Sequence, residues 1–237
     1  MKTVRAPRYV PTKVVPWPVD RLTAFRTTVE GRYQVCVDLG SGCGLRQGEI
    51  VGVSPDDIDP VRPSCTSYVV RQVKIVREQL VFAPPKGGKV REVPLPDSVA
   101  GRLREHAAEC PPVAVTLPWG SLGGEPRTVS LYLSTPEGRA LFRTRFNLSV
   151  WKPAIRATGI EDHRRNGMHV LRHTYASVLL DAGESIKALS LYLGHTDPGF
   201  TLRVYTHLLA SSEDRTRRAI DRAFGHAADT PDGLETA

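Results

Sequence analysis

The sequence contains no run of about 18 apolar residues, the length a membrane-spanning helix requires, so no such helix is expected. Its opening stretch, MKTVRAPRYVPTKVVPWP, is basic but has no apolar core, and so does not read as a secretory signal. These two absences point to the cytoplasm. Cysteine is sparse: Cys36, Cys43, Cys65 and Cys110 form no CxxC pair and make no zinc-type spacing with histidine. That excludes a disulfide framework and a structural zinc module, and the four read as reduced, partly buried thiols. No carboxylate cluster suggests a two-metal centre, so neither a metal nor a cofactor is expected. Lysine is scarce as well, 7 against 25 arginines. That bias suits bidentate phosphate contacts, although genomic base composition would explain it equally.

A net charge of +7 remains, and it is unevenly placed. Residues 71–104 hold eight Lys/Arg against three Asp/Glu, and residues 139–175 hold eight against two. The last fifteen residues carry Asp229, Asp232 and Glu235 and no basic residue. Blocks of positive charge permit a polyanionic partner. No basic amphipathic helix with an aromatic face argues for a membrane surface instead.

Residues 1–17, rich in proline and basic side chains, read as a linker or arm. A helix starts after Pro18, with Val19, Leu22 and Phe25 or Arg26 on successive turns, and a second spans roughly Tyr33–Cys43. The period then changes. Tyr68–Val76, Gln79–Ala83 and Val90–Leu95 read as strands of one small antiparallel sheet, with PPKGGK as a turn between the last two. Asp97 is expected to cap a helix running to about Glu109. Residues 110–140 suggest a loop-rich insert with short strands, Leu141–Arg143 a strand, and Asn147–Ala157 a helix despite Pro153.

The last third is helical. Met168–Asp181 has apolar pairs at 170/171, 174/175 and 178/179 and ends at Gly183. Ser185–Leu193 is closed by Gly194, and Asp197-Pro198 opens a helix carrying Tyr205. Ser211-Ser212-Glu213-Asp214 resembles a capping box starting a last helix to about Phe224, and residues 225–237 read as a disordered tail. Helices, then strands, then helices make an α+β, mainly α-helical chain rather than a doubly wound one.

Four segments carry candidate chemistry. In HVLRH, His169 and Arg172 are three apart and share a helix face, a plausible phosphate site. In LGHTDPGFTLRVYTH, His195 follows a helix-ending glycine and Tyr205 comes ten residues later. In GLRQGE, Arg46 lies between two glycines, with Glu49 able to orient it. The PPKGGK turn presents Lys86 and Lys89. Each has a bland reading: a surface His-x-x-Arg, an ordinary packed tyrosine, a solvated acid, a solubilising turn.

Taken together and in this order, GLRQGEI, PPKGGK with VREVPLP, HVLRHTYASVLLDAG and ALSLYLGHTDPGFTLRVYTHL resemble the tyrosine recombinase or phage integrase family. The resemblance covers about residues 18–224 and implies that family's DNA breaking-rejoining catalytic fold. The family's active-site set of Arg, Lys, His, Arg, His/Trp and Tyr falls on Arg46, Lys86, His169, Arg172, His195 and Tyr205, with Lys89 an alternative to Lys86. Tyr175 and Tyr192 compete with Tyr205, but Tyr205 has the family's R-x-Y-T-H context.

The resemblance further implies metal-independent cleavage of duplex DNA through a 3′-phosphotyrosyl link. Arg46 and Arg172 would clamp the phosphate, His169 would assist the Tyr205 proton, Lys86 would protonate the leaving oxygen, and His195 would donate to the phosphate. It implies a homotetramer on DNA, with accessory DNA-bending proteins among the candidate partners. The N-terminal DNA-clamping domain usual in the family would be absent from residues 1–237. A topoisomerase-like relaxing enzyme and a catalytically dead DNA-binding protein are the competing functions.

Overall fold

The structure, a computed structural model, describes residues 14–60, 65–208 and 213–224. It opens with helices α1 (Val19–Thr28), α2 (Gly31–Cys43) and α3 (Gln47–Ile50). Strands β1 (Ile58–Asp59), β2 (Thr66–Val69), β3 (Gln72–Val76), β4 (Gln79–Ala83) and β5 (Arg91–Pro94) follow. Helix α4 (Asp97–Glu109) leads to a hairpin of β6 (Val113–Pro118) and β7 (Pro126–Leu131). The remainder is helical: α5 (Arg143–Phe146), α6 (Lys152–Ala157), α7 (His169–Asp181), α8 (Ile186–Leu193), α9 (Pro198–Tyr205) and α10 (Glu213–Phe224). The expected class, mainly helical with small antiparallel strand pairings, is what is found.

The strands do not form one sheet. β1, β2 and β5 make one antiparallel sheet, β3–β4 a second and β6–β7 a third. The strand expected over Tyr68–Val76 breaks at Val70-Arg71, because Arg71 turns inward to Asp57 (2.5 Å) and the Gly52 carbonyl (3.2 Å). The hairpin turn is Arg77-Glu78, both with positive φ (44° and 63°), the geometry of a tight two-residue connection. PPKGGK therefore does not close a hairpin. It links β4 to β5, which lie in different sheets, and residues 86–89 are exposed.

Other expectations are corrected in detail. Trp17, placed in the basic arm, is buried. Its ring packs edge-on against Phe25 (5.0 Å) and stacks on Trp151 (6.2 Å), and its backbone N–H donates to Thr174 (3.1 Å). Asp97 is the first residue of α4 rather than its cap, a position where a carboxylate still favours the helix dipole. Leu141–Arg143 is not a strand: Ala140 makes a single bridge to Ser134, and α5 starts at Arg143. Val178 is exposed, because Ala176 and Leu180 take the core positions of α7. The capping box at 211–214 and the tail at 225–237 fall wholly or partly outside the described residues.

The helix around Pro153 survives by widening. Asn147–Trp151 is a π-helical turn, which loosens the backbone where proline has no N–H and crowds the preceding turn. It also brings Asn147 Oδ1 to the Gln47 side-chain amide (2.8 Å).

Two glycines fix how α2 meets α7. A side chain at Gly40 would lie 2.6 Å from Leu171, so the two helices touch closely there. Gly44 ends α2 in the left-handed conformation (φ 63°), with Tyr175 where a Cβ would stand. Beyond this contact Tyr175, Ala176, Leu180, Leu189, Leu193 and Tyr205 form a second apolar cluster.

Candidate active site

Arg46 begins α3 immediately after the chain leaves α2. The Glu49 carboxylate accepts the Arg46 backbone N–H (2.8 Å) and its guanidinium (3.0 Å), so the first turn of α3 aims this arginine. Glu49 is not a solvated acid but is buried. It also takes a two-pronged ion pair from Arg91 (3.0 and 2.6 Å). Burial alone would raise its pKa; Arg91 and then Arg46 outweigh that and hold it below the usual carboxylate range. Arg91 further donates to the Tyr192 carbonyl (2.7 Å), tying β5 to α8.

Arg172 is the largest fully buried side chain among the described residues, 1% exposed. It donates to the carbonyls of Gly44 (2.7 Å) and Leu193 and to His195 Nε2 (3.0 Å). Both carbonyls lie at helix ends whose groups have no intrahelical partner. Burial, then neighbouring Arg46, pushes Arg172 down to about 9, which leaves it protonated at neutral pH. A buried cation held by carbonyls and a neutral ring retains its charge for an anion.

Tyr205, at the end of α9, is 1% exposed. Burial raises its hydroxyl to about 12, against the opposing pull of Arg172 and Arg46, so both guanidiniums act on it. The imidazole at the hydroxyl is His173, with Nδ1 at 2.9 Å. His169, the histidine expected to serve Tyr205, packs edge-on against the His173 ring instead (4.6 Å). Burial first, then adjacent histidine and arginine charge, lowers His173 to about 3. His169 falls to about 4 through burial and the cations Arg172, Arg46 and Lys86, although part of its ring meets solvent. His195 falls to about 3 by burial and then Arg172. All three are neutral at pH 7. The ring nitrogens of His195 are both occupied, Nε2 by Arg172 and Nδ1 by Thr201 (2.8 Å).

Arg46 and His169 open onto a cleft of about 960 Å³. Arg46, Lys74, Lys86, Arg143 and His169 line it, and among the described residues no carboxylate does. Lys86 reaches it and acts on His169, whereas Lys89 is not part of the wall. A second cavity of about 830 Å³, between β6 and α5, holds none of these residues. Three of the six candidates, Arg46, Lys86 and His169, thus line the cleft, and Arg172, His195 and Tyr205 are not part of its wall.

Sequence reading missed Arg91, His173, Ser190 and Thr201. Arg91 could have been found, since it is in phase with the inward residues Val93 and Leu95. His173 stands one turn after His169, but nothing local announces that a tyrosine 32 residues on will meet it.

Among known proteins, the model described as the phage integrase family matches residues 18–212. The chain is 24% identical over 232 residues to a protein named tyrosine recombinase XerC-like from Caldanaerobacter subterraneus subsp. tengcongensis, covering 91% of this chain and 56% of the other. It is 30% identical to tyrosine recombinase XerC of Stutzerimonas stutzeri, covering 75% of this chain and 48% of that one. The chain thus spans about half the length of these relatives. Its fold is shared with the Tn1549 transposon integrase, solved in complex with transposon right end DNA. There the TM-score is 0.67 at 18% identity, over 88% of this chain and 65% of that one.

Proposed function

Because the chain belongs to the phage integrase family, we propose that residues 18–224 are the catalytic unit of a tyrosine-type site-specific recombinase acting on double-stranded DNA in the cytoplasm. The observation that supports this reading is that α7 carries the buried guanidinium of Arg172 beside His173, whose Nδ1 lies 2.9 Å from the hydroxyl of the buried Tyr205. A binding module has no use for that arrangement. A phosphodiester transferase does.

In the proposed reaction the scissile phosphate enters the carboxylate-free cleft. Arg46 and Arg172 take its non-bridging oxygens and stabilise the charge that grows on them. The Tyr205 oxygen attacks phosphorus, the phosphorus–O5′ bond breaks, and a 3′-phosphotyrosyl link forms. The phenol proton passes to His173 Nδ1, a role supported by its 2.9 Å distance from the hydroxyl. An imidazole this weak suffices because the phenol becomes strongly acidic only as the new P–O bond forms. Lys86 delivers a proton to the departing O5′. His169 faces the phosphate from the cleft wall, and His195, which contacts Arg172 in the DNA-free chain, donates a hydrogen bond to the phosphate. The covalent link conserves the phosphodiester energy, so rejoining needs no nucleotide cofactor, and no step requires a metal.

Strand exchange calls for several active sites, and we propose a homotetramer on DNA, aided by accessory DNA-bending proteins. Exposed Ile220 and Phe224 on α10 give an apolar stripe for contact between protomers.

A library of nicked duplexes of randomised sequence tests the function. Wild type should leave a protein–DNA adduct on a denaturing gel, and Tyr205→Phe none. An adduct that persists in Tyr205→Phe would remove Tyr205 as nucleophile.

A further inference from the structure

One buried side chain joins the segments that carry Arg46 and Arg172. The Arg91 guanidinium gives two parallel N–H bonds to the Glu49 carboxylate (3.0 and 2.6 Å) and a third, from Nε, to the Tyr192 carbonyl (2.7 Å). Glu49 in turn accepts the Arg46 backbone N–H (2.8 Å) and its guanidinium (3.0 Å). On its other side Arg91 reaches the end of α8, where the next carbonyl, that of Leu193, accepts from Arg172. Gly194 packs against the same side chain: a Cβ there would stand 3.0 to 3.3 Å from three Arg91 atoms.

Donor and acceptor accounting shows how this bridge works. Each Glu49 oxygen accepts twice, once from Arg91 and once from Arg46, which fills the acceptor sites of the carboxylate. The plane that Arg91 sets is thus the plane that Arg46 meets. Glu49 is 1% exposed and Arg91 9%, so water competes little for these bonds. A lysine would balance the charge of Glu49 but has no planar fork, so it could not hold both carboxylate oxygens and the Tyr192 carbonyl at once. Arg91 is not part of the cleft wall, so its effect on DNA must run through the groups it holds.

We infer that Arg91 is a positioning residue for DNA cleavage: it locks the Glu49 carboxylate that aims Arg46 and ties it to the end of α8 that holds Arg172, so that both arginines meet one phosphate at a fixed separation. The inference rests on the recombinase reading of the site. Arg46 begins α3 and Arg172 lies on α7, and each is anchored by its own neighbours. Two guanidiniums stabilise the charge growing on one phosphate only if both are placed for it beforehand. Arg91, on β5, is in contact with the anchors of both. It touches neither the nucleophile nor the cleft, and it acts through Glu49 and the α8 terminus alone.

Nitrogen-15 NMR of the full chain, free of DNA and labelled at arginine, reads how freely each guanidinium turns. Arg46→Lys identifies the Arg46 signals. In wild type its terminal nitrogens should be separately resolved, the mark of hindered rotation. In Arg91→Lys, which keeps a cation beside Glu49 but loses the fork, they should merge. On nicked duplex this variant should form adduct about 100-fold more slowly at unchanged half-saturation by DNA, the loss that about 1 Å of misplacement produces. A duplex with a methyl group in place of one non-bridging oxygen has no net charge at the phosphate for the arginines to hold. There the shortfall should shrink to within about threefold, whereas sulfur at O5′ should leave it unchanged. A purely structural role would slow all three substrates alike. Should Arg91→Lys fail to fold, Arg91→Gln, which keeps a planar N–H donor group, should show the same merging and slowing. Merged Arg46 signals in wild type, a folded variant with wild-type signals or rate, or an equal shortfall on all three substrates would overturn the inference. The spectra need no DNA. Signals that behave as expected with no adduct from wild type therefore count against the recombinase reading alone, and an adduct from wild type with Arg46 signals unmoved in the variant counts against the Arg91 role alone.

Discussion

Nδ1 of His173 lies 2.9 Å from the hydroxyl of Tyr205, while the His169 ring meets the His173 ring edge-on at 4.6 Å between centroids. This geometry makes His173, rather than His169, the proposed acceptor of the Tyr205 proton. His173→Leu should lower the single-turnover rate of adduct formation about 100-fold, the usual contribution of a positioned proton acceptor, with DNA affinity unchanged. Rates measured by rapid quench at saturating DNA decide it. A wild-type rate in that variant would return the proton to His169.

Lys86 and Lys89 share one turn, but only Lys86 reaches the cleft wall. Lys86→Ala should therefore slow cleavage strongly, and Lys89→Ala by less than about threefold. A duplex with sulfur in place of the bridging O5′ needs no proton for its leaving group. On that substrate Lys86→Ala should approach the wild-type rate. Continued failure there would mean that Lys86 binds DNA rather than protonating it.

The cleft is walled by Arg46, Lys74, Lys86 and Arg143 with no acid among them. Each cation on a DNA phosphate releases condensed counterions, so affinity should fall steeply with salt. Lys74→Ala and Arg143→Ala, outside the cleavage chemistry, should each reduce the slope of log K against log salt by roughly one. Fluorescence anisotropy over a salt series measures this. An unchanged slope would take the DNA off this wall.

Much of the arrangement was legible in the sequence because it is carried by local signals. Asp197-Pro198 opens α9, Gly194 closes α8, and Gly44 turns the chain out of α2, so the elements bearing Tyr205, His195 and Arg46 could be placed from their ends. What was not legible depends on contacts between distant segments. The pull of Asp57 on Arg71 splits a run of β-forming residues into two sheets, and no periodicity reports an ion pair. Trp17 looks like part of a polar arm until Phe25 and Trp151 enclose it. Glu49 was named as an orienting group for Arg46, but its larger partner, Arg91, arrives from another sheet.

That Glu49 junction gives a stability prediction. Its carboxylate is buried and balances Arg91 and Arg46 at once. Glu49→Gln leaves two arginine charges short of their partner, one of them buried, and such losses cost about 3–5 kcal/mol. Urea unfolding should show that drop. Arg91→Met with Glu49→Gln together should cost less than the sum of the two single changes, because the second removes a charge the first has stranded. Strict additivity would mean the pair contributes nothing as a pair.

The three neutral histidines also set how stability depends on pH. His169, His173 and His195 are held at about 4, 3 and 3, against about 6.5 in an unfolded chain. Between those limits the unfolded state binds more protons than the folded one, so unfolding becomes easier as pH falls. The stabilisation is complete above pH 6.5 and is lost progressively below it. Glu49, lowered from its usual value, adds a loss of the same sign at more acid pH. His169, open to solvent on one side, should contribute least of the three. The urea midpoint should therefore fall between pH 7.5 and pH 5, and His173→Leu should flatten that fall. A midpoint that stays level across this range would show that the imidazoles are protonated in the folded protein, and with it would go the neutral base at Tyr205.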